Sequence, residues 1–307
     1  MLESFFLVAQ QVGVLFLLMG VGFALGKMGW LDERCAGQLS RLLIYVVAPC
    51  AIINALQTPY STRIVSALIW GCFFLVFQYA GLIAISQLTF RREDLNQRAV
   101  LRFAQVYSNN VFMGIPLLQA TLGAETAIFV VPSLVTFQVF QWTHGVRLMG
   151  GQLSVKRAII NPGIIGISIG LLLFFARITL PLIPASGVAF LADMNTPLAM
   201  MIIGVQMAGA DFRATFTQPR LYLVSAIRLL LAPLVTVGVM WPFRHTDPAL
   251  FCALVILSAA PVAGATSIFA QAYERDITSA AHAITLSTLL SILTLPLFAT
   301  LAQVMVA

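Results

Sequence analysis

At 307 residues the chain has the length of one large or two medium soluble domains, yet 60% of its residues are hydrophobic and only 9% are charged. Its mean hydropathy is +0.96. A water-facing surface needs roughly a quarter charged residues, so most of this exterior faces lipid. That argues against a soluble enzyme, a disordered chain, a secreted disulfide scaffold and a nucleic-acid-binding domain.

Charge-free runs mark the expected spans in chain order: 4–26, 42–62, 64–90, 103–124, 126–146, 158–176, 194–210, 229–243, 248–273 and 277–307. Most can cross a hydrocarbon core of about 30 Å. The first follows Glu3 without a basic segment and is too long for a cleaved leader, so it reads as a span. The seventh is short and is expected to begin near Ala189, taking in Asp193. The eighth is expected to begin near Pro219, taking in Arg228. No run alternates apolar and polar residues at period two, which excludes an outer-membrane barrel.

The net charge of +6 reports orientation rather than a nucleic-acid partner, because the largest basic cluster (Arg91, Arg92, Arg98, Arg102) falls between two apolar runs. With the N-terminus outside, loops 1–2, 3–4, 5–6, 7–8 and 9–10 and their flanks hold thirteen Lys and Arg. The opposite loops hold only Arg63, Arg177 and Arg244. The positive-inside rule then puts both termini on the outer side. Cys35, Cys50, Cys72 and Cys252 lie far apart and read as packing residues, not metal ligands or disulfides. No cofactor motif is present.

Ten spans divide into two inverted halves of five helices, residues 1–150 and 151–307, joined near residues 148–158. A weak echo supports this. Leu43, Pro49 and Ala51 match Leu191, Pro197 and Ala199; Ser108, Gly114 and Ala120 match Ser258, Gly264 and Ala270. Both sets fall in corresponding spans, as in inverted-repeat transporters. Each half also carries an interrupted span. The fourth reads Tyr107-Ser108-Asn109-Asn110-Val111-Phe112-Met113-Gly114-Ile115-Pro116 and the ninth Ser258-Ala259-Ala260-Pro261-Val262-Ala263-Gly264-Ala265-Thr266-Ser267. Irregular backbone at membrane depth is tolerated only where protein buries it or it lines a cavity. The expectation is two discontinuous helices crossing near the midplane, with an ordinary pair of proline kinks as the alternative.

The stretch Asn109-Asn110-Val111-Phe112-Met113-Gly114-Ile115-Pro116 resembles the G-N-x-G-F-x-G-I-P pattern of the auxin efflux carrier family, with Ser108 and Val111 departing from it. Leu18-Met19-Gly20-Val21-Gly22-Phe23, Asn195-Thr196-Pro197-Leu198 and Ser287-Thr288-Leu289-Leu290-Ser291 are similar to that family too, so the resemblance covers nearly the whole chain. It implies an all-α fold of ten transmembrane helices similar to sodium/proton antiporters, with helices 4 and 9 crossing. It also implies a scaffold beside a moving transport domain, organic-anion substrates as in malate and malonate permeases, and a homodimer. The short central joint looks like the prokaryotic branch, which implies the bacterial inner membrane.

The expected activity is secondary transport of small organic anions, carboxylates above all, by alternating access across the lipid bilayer. Asn109 and Asn110 are expected to donate to the carboxylate, with half-helices after Pro116 and Pro261 aiming partial positive charge at it. Thr266 and Ser267 complete the pocket, and Gly114 and Gly264 allow close backbone approach. Arg228 either supplies counter-charge to the anion or takes a structural role, snorkelling or pairing with Asp211. Asp193 is either a helix-start acid or a proton-coupling group; coupling to protons, coupling to sodium and uncoupled diffusion are the alternatives for the cycle. Asn54, Gln78, Gln206, His144 and His282 read as interhelical hydrogen-bonding residues. Gly166-Ile167-Ser168-Ile169-Gly170 matches a nucleophile-elbow pattern but sits in an apolar helix without catalytic partners, which argues against an intramembrane enzyme. A gated anion channel and a sensor that does not transport are the competing readings.

Overall fold

The computed structural model describes residues 2–110, 112–153 and 160–306. Among them there is no strand, only an isolated antiparallel bridge between Ser108 and Val262. The helices are α1 (Leu2–Lys27), α2 (Glu33–Leu42), α3 (Ala48–Ala55), α4 (Thr62–Leu88), α5 (Leu95–Val106), α6 (Gly114–Leu122), α7 (Val130–Phe140) and α8 (Val146–Leu148). They continue with α9 (Pro162–Ala176), α10 (Leu182–Asp193), α11 (Asn195–Gly209), α12 (Phe212–Thr217), α13 (Pro219–Ala226) and α14 (Ala232–Met240). The last three are α15 (Pro248–Ser258), α16 (Ala265–Ala272) and α17 (Ile277–Val306).

Among the described residues, six helical stretches are long and apolar enough to cross a membrane: Val8–Lys27, Arg34–Ala55, Thr62–Leu88, Leu182–Gly209, Pro219–Phe243 and Ile277–Val306. Pro162–Ala176 and Pro248–Ser258 are shorter apolar helices. One boundary departs from the sequence reading. The stretch carrying Asp193 begins at Leu182, not near Ala189, so Asp193 falls within it rather than at its outer start. Pro184 did not delay the helix, because a proline in the first turn removes no helical hydrogen bond. The joint between the proposed halves lies partly outside the described residues, as do Lys156, Arg157 and Val111.

Four acidic residues sit at helix starts. Asp32, Asp94, Asp211 and Asp247 each accept from a backbone N–H in the first turn of α2, α5, α12 and α15, satisfying donors that a helix start leaves open. Two prolines explain two wide turns. Pro49 and Pro233 cannot donate to Tyr45 and Leu229, and the π-turns Leu43–Val47 and Ile227–Leu231 lie just before them, where the chain has added a residue per turn.

Small residues set the closest helix contacts. A Cβ added to Gly22 of α1 would run into the Met201 carbonyl of α11, and one added to Gly204 of α11 into the Met19 carbonyl of α1. Gly166 of α9 has similar closeness, 2.8 Å from Pro49 Cα for an added Cβ, while Ser168 is exposed. The nucleophile-like pentapeptide is thus a helix-packing face. By contrast, α5 from Ala99 to Val106 and α15 from Leu250 to Ser258 are buried on every side. These two helices are enclosed by protein, not lipid.

The loops segregate to two ends. At one, Arg220 bonds Glu93 at 3.4 Å and Gln97 at 2.5 Å, and Gln97 bonds Asp276 at 3.2 Å. Arg275 there bonds the Met149 carbonyl at 2.8 Å and Asn96 at 2.5 Å. Burial pushes the Asp276 carboxyl up, but hydrogen bonds from Ser279 and Gln97 and the charge of Arg220 outweigh it and hold it below its ordinary value. At the other end Arg63 pairs with Asp247 at 3.3 Å, and Gln57 accepts from the Leu180 amide at 2.9 Å.

The α1–α11 contact predicts the effect of two substitutions. Gly204→Leu should lower the thermal midpoint in detergent by several degrees, reflecting overpacking of about 1–3 kcal/mol. Gly20→Leu, where an added Cβ meets nothing within 4 Å, should leave it unchanged.

Candidate functional site

The chain between α5 and α6 runs antiparallel to the chain between α15 and α16. The Asn109 amide donates to the Pro261 carbonyl at 2.8 Å, and the Ala263 amide donates to the Tyr107 carbonyl at 3.0 Å. The sequence explains why the helices stop here. Pro261 has no N–H for the Leu257 carbonyl. Across the contact, the two segments exchange the bonds each would otherwise make internally. The interrupted segments therefore meet.

The breaks strip donors from the last turns of α5 and α15. Gln105 O would normally receive Asn109 N–H, which now goes to Pro261. Ser258 O would receive Val262 N–H, which now goes to Ser287 Oγ at 3.1 Å. Arg228 replaces them. Its Nη1 donates to Gln105 O at 3.3 Å and Val106 O at 2.9 Å, and its Nη2 donates to Ser258 O at 2.5 Å. The side chain is 1% exposed. It neither snorkels nor pairs with Asp211, which instead caps α12 at the Ala214 amide, 3.1 Å away. Satisfying carbonyls that have lost their donors is a stronger demand on a buried guanidinium than pairing with an exposed carboxylate. Hydrogen bonds from a charged group contribute about 1.5–3 kcal/mol each, so Arg228 is a principal tie at the crossing.

Both second half-helices start at this contact. α6 begins at Gly114, so Pro116 lies within its first turn instead of preceding it; α16 begins at Ala265, directly after Gly264. Around these starts, several buried polar atoms have no partner: Asn109 Nδ2, Asn110 Oδ1 and Thr266 Oγ1. Asn110 Nδ2 donates to Ser133 Oγ at 2.5 Å. Leaving such a group unpaired costs about 1–3 kcal/mol, and three within two facing segments are what a polar ligand would satisfy. The two glycines differ. A Cβ on Gly114 would strike the Leu257 side chain, whereas one on Gly264 meets nothing within 4 Å. Ser267 is half-buried in the first turn of α16, and Pro261 is buried.

Asp193 is not brought to this place. It is exposed at the end of α10, which packs against α3. Asn54 is also exposed, and Gln78 and His282 are buried. Sequence reasoning missed three contributors. Tyr107 donates its hydroxyl to Phe140 O at 2.8 Å and lies 3.0 Å from His144 Nδ1, so it braces the break from behind. Ser287 stands in a motif already singled out, but its bond to Val262 has no sequence signal. Ser133 is a lone serine in an apolar run, equally silent.

The glycine contrast makes a prediction. Gly264→Ala should leave the thermal midpoint within a degree or so, since its backbone is helical and space is available. Gly114→Ala should lower it by an amount on the order of 1–3 kcal/mol as Leu257 is displaced.

A family model described as membrane transport protein matches residues 7–154 and 148–299. An uncharacterized transporter from Methanothermobacter thermautotrophicus is 25% identical over 298 residues, covering 94% of this chain and 96% of that protein. With its long apolar helices, this chain is a multi-pass membrane protein, and it belongs to the membrane transport protein family, the auxin efflux carrier family.

Proposed function

We propose that the protein is a secondary transporter carrying small organic anions, carboxylates in particular, across the bacterial inner membrane by alternating access. The observation that carries this reading is the pair of unpartnered buried donors, Asn109 Nδ2 and Thr266 Oγ1, beside the starts of α6 and α16. Helix starts carry partial positive charge, which favours a carboxylate. In this reading the Asn109 and Asn110 amides and the Thr266 and Ser267 hydroxyls hold the anion, and Gly264 leaves room for it. Pro116 and Pro261 keep the two starts in place.

The halves 1–150 and 151–307 act as inverted repeats of five helices. Support comes from their matching layout: each has a buried first half-helix, a break, and a second half-helix opening at Gly114 or just after Gly264. The end holding Arg220 and Arg275 is cytoplasmic, following the bias of basic residues. Asp193 takes no part in binding here, and coupling through it is not required.

Purified protein in liposomes, tested with labelled mono- and dicarboxylates under imposed pH and sodium gradients, provides the test. Saturable uptake with counterflow is expected for at least one carboxylate, and Asn110→Ala should lower it more than tenfold at unchanged membrane expression. Wild-type rates in Asn110→Ala would remove the pocket assignment, and conductance without counterflow would identify a channel.

A further inference from the structure

We infer that Arg228 is the resident cation of the crossing, its guanidinium held where a coupling cation would otherwise sit, so that the carrier binds its anion without sodium. This rests on the transport reading for its meaning but not for its test. Carbonyls at the C-terminal ends of interrupted membrane helices form cation sites in carriers of inverted-repeat design. Here three such carbonyls, Gln105 O and Val106 O of α5 and Ser258 O of α15, converge on one group, and that group is the Arg228 guanidinium. Each oxygen is turned toward a donor that the chain itself carries.

The charge balance follows. Two half-helix C-termini and two N-termini meet at the crossing, each equivalent to about half a charge, and they cancel. Arg228 then leaves about one positive charge. Among the described residues, the only buried charged side chains are Arg102 and Arg228. Arg102 is occupied elsewhere, donating to Gln87 and Thr89 at the end of α4. No buried described carboxylate offsets Arg228. A singly charged carboxylate at the starts of α6 and α16 would neutralise the crossing, so no co-bound metal ion is needed, and a monoanionic form is preferred over a dianion.

A merely structural tie would also destabilise on removal, so the deciding readout is cation dependence. Thermal midpoints of the intact purified protein are measured in sodium chloride and in choline chloride at matched ionic strength, with no substrate present. Wild type and Arg228→Lys, which keeps the charge, should show the same midpoint in both salts. Arg228→Ala should be less stable and should gain a saturable sodium-dependent rise of about 5 °C as sodium fills the vacated carbonyls. Saturable sodium stabilisation of wild type or of Arg228→Lys would overturn the inference, as would a folded Arg228→Ala with no sodium response. If Arg228→Ala does not fold, binding of radiolabelled sodium to wild type and Arg228→Lys decides: none is expected, and stoichiometric binding overturns it. A carboxylate panel without transport would defeat the transport reading and leave this result standing.

Discussion

Two backbone hydrogen bonds, Asn109 N–H to Pro261 O and Ala263 N–H to Tyr107 O, determine the centre of this molecule. Once they form, neither segment can be helical through the break, and carbonyls in the last turns of α5 and α15 lose their donors. In hydrocarbon such groups would each cost several kcal/mol. The fold meets that demand by enclosing α5 and α15 in protein and by placing one arginine against the exposed carbonyls. The same exchange opens α6 and α16 at the contact, where the Thr266 N–H donates to Ala263 O at 3.0 Å and the Ser267 N–H to Gly264 O at 3.2 Å. In the proposed reading, a structural necessity at one side of the crossing serves anion binding at the other.

Elsewhere the helices pack closely. The α1–α11 pair approaches through Gly22 and Gly204, and α9 lies against Pro49 through Gly166. These contacts leave no room for side chains, so they hold fixed distances. The crossing, by contrast, contains unpaired polar atoms and open space beside Gly264. Function in a carrier requires such an unsatisfied place, because a fully paired site has nothing to offer a ligand.

Much of this was legible in the sequence, for physical reasons that can be named. Asparagine pairs, glycine and proline at membrane depth are unfavourable in a lipid-facing helix, so Asn109, Asn110, Gly114, Pro116 and Pro261 mark the breaks in the sequence. Charge-free runs located most helices, but that criterion fails where an acid lies inside one, which is why the helix containing Asp193 was begun seven residues late. The partners of Arg228 were illegible. They are main-chain oxygens, which every residue has, and their availability depends on a contact between segments about 150 positions apart. Asp211 stands among the alternatives for Arg228 because carboxylates are visible in a sequence and orphaned carbonyls are not.

The central claim is that the cargo rests between the two breaks. The most direct measurement is thiol accessibility at Gly264→Cys in a protein whose four native cysteines have been replaced. The account predicts that a water-soluble maleimide modifies this position and that a transported carboxylate slows the modification in a saturable way, while Gly20→Cys shows no such protection. Equal modification rates at Gly264→Cys with and without saturating carboxylate would contradict it.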